Sequence, residues 1–196
     1  MKKVGIFGGT FNPPHIGHLI MANEVYAALK LDEIRFMPNA TAPHKEVSSS
    51  ASNAQRLEMV ELAIQGIPHF SVERFEMERG GVSYTYETMK AMREREPDAE
   101  FHFIIGGDMI DSLDSWYRID DLLELVHFVG VKRPGSNALT DYKVHMVEAP
   151  EINLSSTFIR NRLQHKGPLH FLLQPNVEAF IRKEGLYGAT TIVSGH

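Results

Sequence analysis

The sequence predicts an α/β fold: a doubly wound, mostly parallel sheet with helices on both faces. Three observations predict it. Short apolar runs of strand length alternate with helical patterns along the whole chain, as repeated strand–helix–strand units require. The polar segments rich in Gly, Pro and His follow the carboxyl ends of the apolar runs, where such sheets bind ligands. The 196 residues are 43% hydrophobic and 23% charged, ordinary values for one soluble globular domain able to bury a core.

The elements follow in order. Val4–Phe7 is a strand, and Ile16–Leu29 a helix with Leu19, Ala22, Tyr26 and Leu29 at helical spacing. Ile34–Met37 is a second strand, stopped by Pro38. A long polar loop, Asn39–Ser52, contains Pro43-His44-Lys45 and ends in a serine-rich patch. Asn53 reads as the N-cap of a helix whose face is Leu57, Val60 and Ile64. Phe70–Val72 is a short strand and Tyr84–Arg95 a helix ended by Pro97. Phe101–Ile105 and Phe128–Val131 are strongly apolar strands, ending at Gly106-Gly107-Asp108 and at Lys132-Arg133-Pro134-Gly135. Val144–Val147 is a further strand, and helices near Ser155–Gln164 and Pro175–Glu184 close the chain. Residues 1–188 are expected to form one domain, with 189–196 a tail without readable chemistry.

Composition narrows the function. A net charge of −5 and a pI near 6.0 argue against a nucleic-acid-binding surface. No apolar run approaches the ~20 residues that span a bilayer, and no signal peptide is visible. Cysteine is absent, which removes disulfides, thiolate metal ligands and a thiol nucleophile. The cytoplasm is the expected compartment, with no membrane partner.

The string Gly8-Gly9-Thr10-Phe11-Asn12-Pro13-Pro14-His15-Ile16-Gly17-His18 joins a strand to a helix start. Glycines let backbone approach phosphate oxygens, helix-start N–H groups attract anions, and histidines donate hydrogen bonds to phosphate. A zinc site on His15 and His18 is the alternative reading. It needs one or two more ligands, and it does not explain Gly17, which close packing against a base or ribose would. A second string, Asn153-Leu154-Ser155-Ser156-Thr157-Phe158-Ile159-Arg160, opens a helix with hydroxyls and an arginine. It is either an ordinary cap or a second anion site. Asp108 at a strand end either accepts ribose hydroxyls or caps a helix.

Both strings together resemble the nucleotidyltransferase superfamily, which shares the His-Ile-Gly-His tetrapeptide with class I aminoacyl-tRNA synthetases. Pro43-His44-Lys45, Ser83–Thr88, Phe103–Asp108 followed by Trp116, and Lys132–Gly135 make the whole chain similar to the bacterial nicotinate-mononucleotide adenylyltransferases. The resemblance implies a Rossmann-like fold and catalysis by His15, His18 and Arg160. It implies ATP binding by Gly8, Gly9, Thr10, Phe11, His15, His18, Gly106, Asp108, Ser156, Thr157 and Arg160. It implies nicotinate mononucleotide binding by His44, Lys45, Thr85, Trp116, Tyr117 and Arg133, with Trp116 stacking on the ring and the helix start at Thr85 receiving the carboxylate. It also implies a Mg²⁺ carried by ATP, no metal site built by the protein, and a tendency to self-associate. Most relatives carry Asp where this chain has Asn12, so Asn12 supplies hydrogen bonds and no carboxylate.

The reaction implied is attack of the mononucleotide phosphate on the α-phosphorus of ATP, with pyrophosphate leaving. A phosphate monoester is largely ionised at neutral pH and needs no general base, which agrees with a site made of positioning and charge-neutralising groups. The competing readings are an adenylyltransferase for another acceptor such as nicotinamide mononucleotide, a nucleotide sensor without turnover, and a synthetase fragment. The last lacks both the length for a tRNA-binding domain and a basic surface.

Overall fold

A computed structural model describes residues 1–40, 51–132 and 140–189. Six parallel strands form one sheet: β1 (Lys2–Gly9), β2 (Glu33–Pro38), β3 (Phe70–Val72), β4 (Ala99–Gly106), β5 (His127–Val131) and β6 (Val144–Val147). Their order is β3-β2-β1-β4-β5-β6. The order reverses between β1 and β4, and the crevice beyond the carboxyl ends of these two strands is where such sheets take ligands. The register pairs Phe7 with Ile104, which brings Gly8–Gly9 and Gly106 to the same edge.

The central strands are buried on both faces, so they read as continuous apolar runs. Along β1, Val4 and Ile6 point into one core while Phe7 points into the other, the period of two that a strand imposes. The Phe7 face is covered by α1 (Ile16–Leu29), α2 (Asn53–Ile64), α7 (Ser156–Gln164) and α8 (Pro175–Lys183). The Val4 face is covered by α4 (Thr85–Arg95), α5 (Gly107–Ile110) and α6 (Ile119–Leu123), through Met89, Met92, Ile110 and Leu122. Among the described residues no helix is long and apolar enough to cross a membrane. Ala189, placed by the sequence at the start of a tail, is buried in the Phe7-side core; residues 190–196 lie outside the described residues.

Several local expectations are corrected. The cap of α2 is Ser52, whose hydroxyl accepts from the Gln55 N–H at 3.2 Å while Gln55 returns a bond to the Ser52 N–H. Asn53 is the first helical residue and uses its side chain to hold Arg56. The buried face of α2 is Arg56, Met59, Val60, Ala63 and Ile64, rotated from the expected stripe that began at Leu57. Two five-residue helices were not read from the sequence, α3 (Phe75–Arg79) and α6. Each is too short to display a helical period. A carboxylate network braces β2 from outside: Glu96 receives both arms of Arg35 at 2.6 and 2.8 Å. The guanidinium holds the Glu96 carboxyl down to about 2.

Candidate active site

The turn after β1 is shaped by close packing. A Cβ on Gly9 would sit 3.0 Å from the Phe11 ring, and one on Gly8 would sit 3.1 Å from the Phe103 ring. Phe11 takes a left-handed backbone (φ 49°), and its ring is 2% exposed. The ring lies 5.7 Å from Phe7, 5.8 Å from Phe36 and 5.1 Å from His18, centroid to centroid. The sequence placed Phe11 among ATP contacts; its side chain belongs to the core. A Cβ on Gly17 would lie 3.0 Å from Cε1 and Nδ1 of His15, so the glycine makes room for the histidine ring.

His15 and His18 stack with centroids 3.7 Å apart. His15 is the N-cap residue of α1 and is buried, while His18 one turn on is half-buried. The His15 backbone N–H donates to Nδ1 of His18 at 3.1 Å. A neutral His18 therefore carries its proton on Nε2. Among the described residues no group of three or more His, Asp or Glu is placed to hold a metal ion.

The second string meets the first across most of the chain. Ser155 caps α7, accepting from the Phe158 N–H at 3.1 Å. Ser156 Oγ donates to the Pro13 carbonyl at 2.8 Å, and Arg160 donates to the Asn12 carbonyl at 2.7 Å and to Thr157 Oγ1 at 3.1 Å. Asn12 is buried, and its side-chain oxygen accepts from the Tyr187 hydroxyl. Burial pushes the Tyr187 phenol up, so this donor keeps its proton at any physiological pH. The amide at position 12 is a structural acceptor.

Beneath the turn lies Arg56, 2% exposed. It donates to the Thr10 carbonyl at 2.7 Å, the Asn39 carbonyl at 2.7 Å, the Ala40 carbonyl at 3.3 Å and Asn53 Oδ1 at 2.6 Å. Burial lowers its pKa, yet a guanidinium stays charged in proteins.

Gly106 caps α5, so the capping alternative for Asp108 is excluded; Asp108 is the second helical residue and exposed. On the far side, Thr85 is the first residue of α4, where N–H groups lack intrahelical partners. Tyr84 and Tyr117 are exposed with rings 5.1 Å apart, while Tyr86 is buried under Tyr117 and the Arg118 guanidinium. Trp116 is half-buried and meets Phe103 and Phe128 edge-on at 6.1 and 5.9 Å, so one part of the indole anchors the loop. Below α4, the buried Glu76 accepts from Thr88 Oγ1 at 2.9 Å, and burial raises its pKa. His44, Lys45 and Arg133 lie outside the described residues. Lys132 is exposed at the end of β5.

Sequence reasoning missed Arg56, Tyr187 and Glu76. For Arg56 a signal existed: it stands three and four residues before Met59 and Val60, on one helix face. Tyr187 carried none, because its partner is 175 residues away.

The chain matches the cytidylyltransferase-like family over residues 6–162. It is 51% identical to a probable nicotinate-nucleotide adenylyltransferase of Geobacillus thermodenitrificans, covering 99% of this chain and 90% of that one. It is 49% identical to the nicotinate-nucleotide adenylyltransferase of Bacillus subtilis, covering 95% and 99%. The fold superposes on the Plasmodium falciparum nicotinic acid mononucleotide adenylyltransferase complexed with NaAD, with a TM-score of 0.81, 20% identity and 97% and 99% coverage.

Proposed function

We propose, for a chain that belongs to the cytidylyltransferase-like family and within it to the nicotinate-nucleotide adenylyltransferases, that the crevice between β1 and β4 is its catalytic centre. The chain transfers the adenylyl group of ATP to nicotinate mononucleotide, giving nicotinate adenine dinucleotide and pyrophosphate, a step of NAD biosynthesis. The observation that carries the placement is the meeting of two anion-binding strings at one sheet edge, fixed by the Ser156–Pro13 and Arg160–Asn12 bonds.

In this placement the mononucleotide phosphate oxygen forms a bond to the α-phosphorus as the bond to the β-bridging oxygen breaks. Pyrophosphate departs with the electron pair. His18 Nε2–H and the Arg160 guanidinium face the triphosphate and answer the charge that develops on it. The amides of Thr10 and Phe11 approach the phosphates closely, and Thr157, whose oxygen accepts from Arg160, offers its hydroxyl proton to the leaving group beside the Ser156 amide at the start of α7. Gly106 and Asp108 take the adenosine side. Thr85 at the start of α4 receives the nicotinate carboxylate, with Trp116 and Tyr117 beside the ring. A carboxamide gains less at a helix start, so the preference for acid over amide is electrostatic. Mg²⁺ arrives with ATP as part of the substrate. Phosphate oxygens and water satisfy its octahedral shell, which fits a crevice lined by donors and not by a carboxylate cage.

The test is pyrophosphate release by the purified protein with ATP and Mg²⁺, comparing nicotinate and nicotinamide mononucleotides and phosphopantetheine. Fast release with the nicotinate compound alone is expected. His18→Ala should cut turnover ~10²-fold or more with folding intact; wild-type turnover in a folded variant would remove His18 from the chemistry.

A further inference from the structure

We infer that Arg56, which no ligand needs to touch, is a positioning residue for the triphosphate: by holding the Thr10 and Asn39 carbonyls inward it aims backbone amides outward at ATP. The inference rests on the reading of the Gly8–His18 turn as the triphosphate seat.

A trans peptide unit is planar, with its C=O and N–H pointing in opposite directions. The Thr10–Phe11 unit is trans, since the cis bond in this turn is Asn12–Pro13. Its carbonyl is held at 2.7 Å by a guanidinium buried beneath the turn. The Phe11 N–H therefore points away from Arg56. The preceding unit is fixed in the same manner, because the Gly9 carbonyl accepts the Asn39 N–H at 3.0 Å. That turns the Thr10 N–H away from the β2 side. The left-handed backbone of Phe11 continues this run, and successive N–H groups presented together make an anion-binding concavity.

Arg56 also holds the Asn39 carbonyl at 2.7 Å, which turns the Ala40 N–H away from the guanidinium. One buried side chain thus sets peptide orientation in the loops after both β1 and β2. Asn53 Oδ1, at 2.6 Å, fixes the guanidinium's plane. The planar fork with five donors is needed here, because the bonds radiate to oxygens on three separate segments. A lysine ammonium reaches fewer of them. Because the Phe11 ring is locked against Phe7 and Phe36, the turn cannot adapt by swinging outward. The peptide at Thr10 is the part left free to rotate once Arg56 is gone.

The test measures binding at the two ends of the cleft separately in wild type, Arg56→Lys and Arg56→Ala. Affinity for a non-hydrolysable ATP analogue is read by calorimetry. Affinity for nicotinate mononucleotide is read by fluorescence of the single tryptophan, Trp116. Arg56→Lys should fold, keep its mononucleotide affinity within about twofold, and lose ATP-analogue affinity by roughly 10–100-fold, the scale of a misplaced binding element. In Arg56→Ala, added guanidinium chloride at low millimolar concentration should recover part of the lost ATP affinity, a response that general loosening would not give. Equal losses for both ligands, or none in a folded Arg56→Lys, would overturn the inference, as would absence of guanidinium rescue. If folded His18→Ala releases pyrophosphate at the wild-type rate, the seat itself has been misplaced, an outcome separate from any behaviour of Arg56.

Discussion

Gly17→Ala separates stability from chemistry because the structure gives the two effects opposite signs. Gly17 is the second residue of α1, with no left-handed backbone to strain an alanine. Alanine in a helix is favoured over glycine by up to about 1 kcal/mol, which for a chain of this size raises Tm by roughly 2–4 °C. The new methyl would nevertheless sit 3.0 Å from Cε1 and Nδ1 of His15. Carbon atoms pack best at about 3.5–4.0 Å, so the ring must retreat by roughly half an ångström. It is buried and stacked on His18 at 3.7 Å, so the displacement passes to the second histidine. An error of ~1 Å in placement costs about 10²-fold, and half of that about tenfold, in turnover. The assay pairs a thermal melt with pyrophosphate release at saturating substrates. An unchanged or higher Tm with about tenfold lower kcat is expected. Wild-type kcat, or a fall in kcat that tracks a fall in Tm, would refute the claim that Gly17 exists to seat His15.

Trp116→Ala should raise KM for nicotinate mononucleotide several-fold, the worth of one aromatic stack at about 0.5–1.5 kcal/mol, and leave KM for ATP within about twofold; steady-state kinetics with each substrate varied will show it. Tyr187→Phe strips the donor from the buried Asn12 oxygen, a loss of about 1–3 kcal/mol, measurable as a lower urea midpoint. Glu96→Gln tests the carboxylate network by pH. The folded carboxyl is held down to about 2 from an ordinary 4.5, so its contribution is present above about 4.5 and disappears as pH falls toward 2. Urea midpoints of wild type and variant should differ at pH 7, approach each other as pH falls below about 4.5, and converge only below about pH 2; a constant gap would show that the network does not work through charge.

The central strands were legible because they are buried on both faces and read as continuous apolar runs, and the partly exposed edge strands Phe70–Val72 and Val144–Val147 also match to the residue. Strand polarity alone placed the Gly8–His15 and Gly106–Asp108 loops at one edge; that Ser156 and Arg160 reach the first string is visible only in the folded chain. Details set by side-chain volume were not legible. Gly9 looks like a phosphate glycine in sequence and Gly17 like a glycine for a base or ribose, yet each also leaves room for an aromatic ring from its own turn. Arg56 reads as one more surface cation on α2 until the helix is docked, because spacing records that it shares a face with Val60 but not that backbone carbonyls wait there. The helices α3 and α6 are held by their surroundings, with Glu76 and Leu122 buried, and short segments of that kind leave no periodic trace.

The Ser156–Pro13 and Arg160–Asn12 bonds have a consequence for how the protein is made. The sixth strand is finished at Val147, so a nascent chain can complete its sheet before the wall of its nucleotide site has emerged from the ribosome. On the placement proposed above, competence to bind ATP arrives only when α7 folds back on the first turn. A ligand that binds the finished form alone shifts the balance toward it, by about 2.7 kcal/mol at a hundred times its dissociation constant. The substrate thus acts as a late clasp between the two ends of the polypeptide, and cellular ATP becomes a contributor to the yield of intact enzyme.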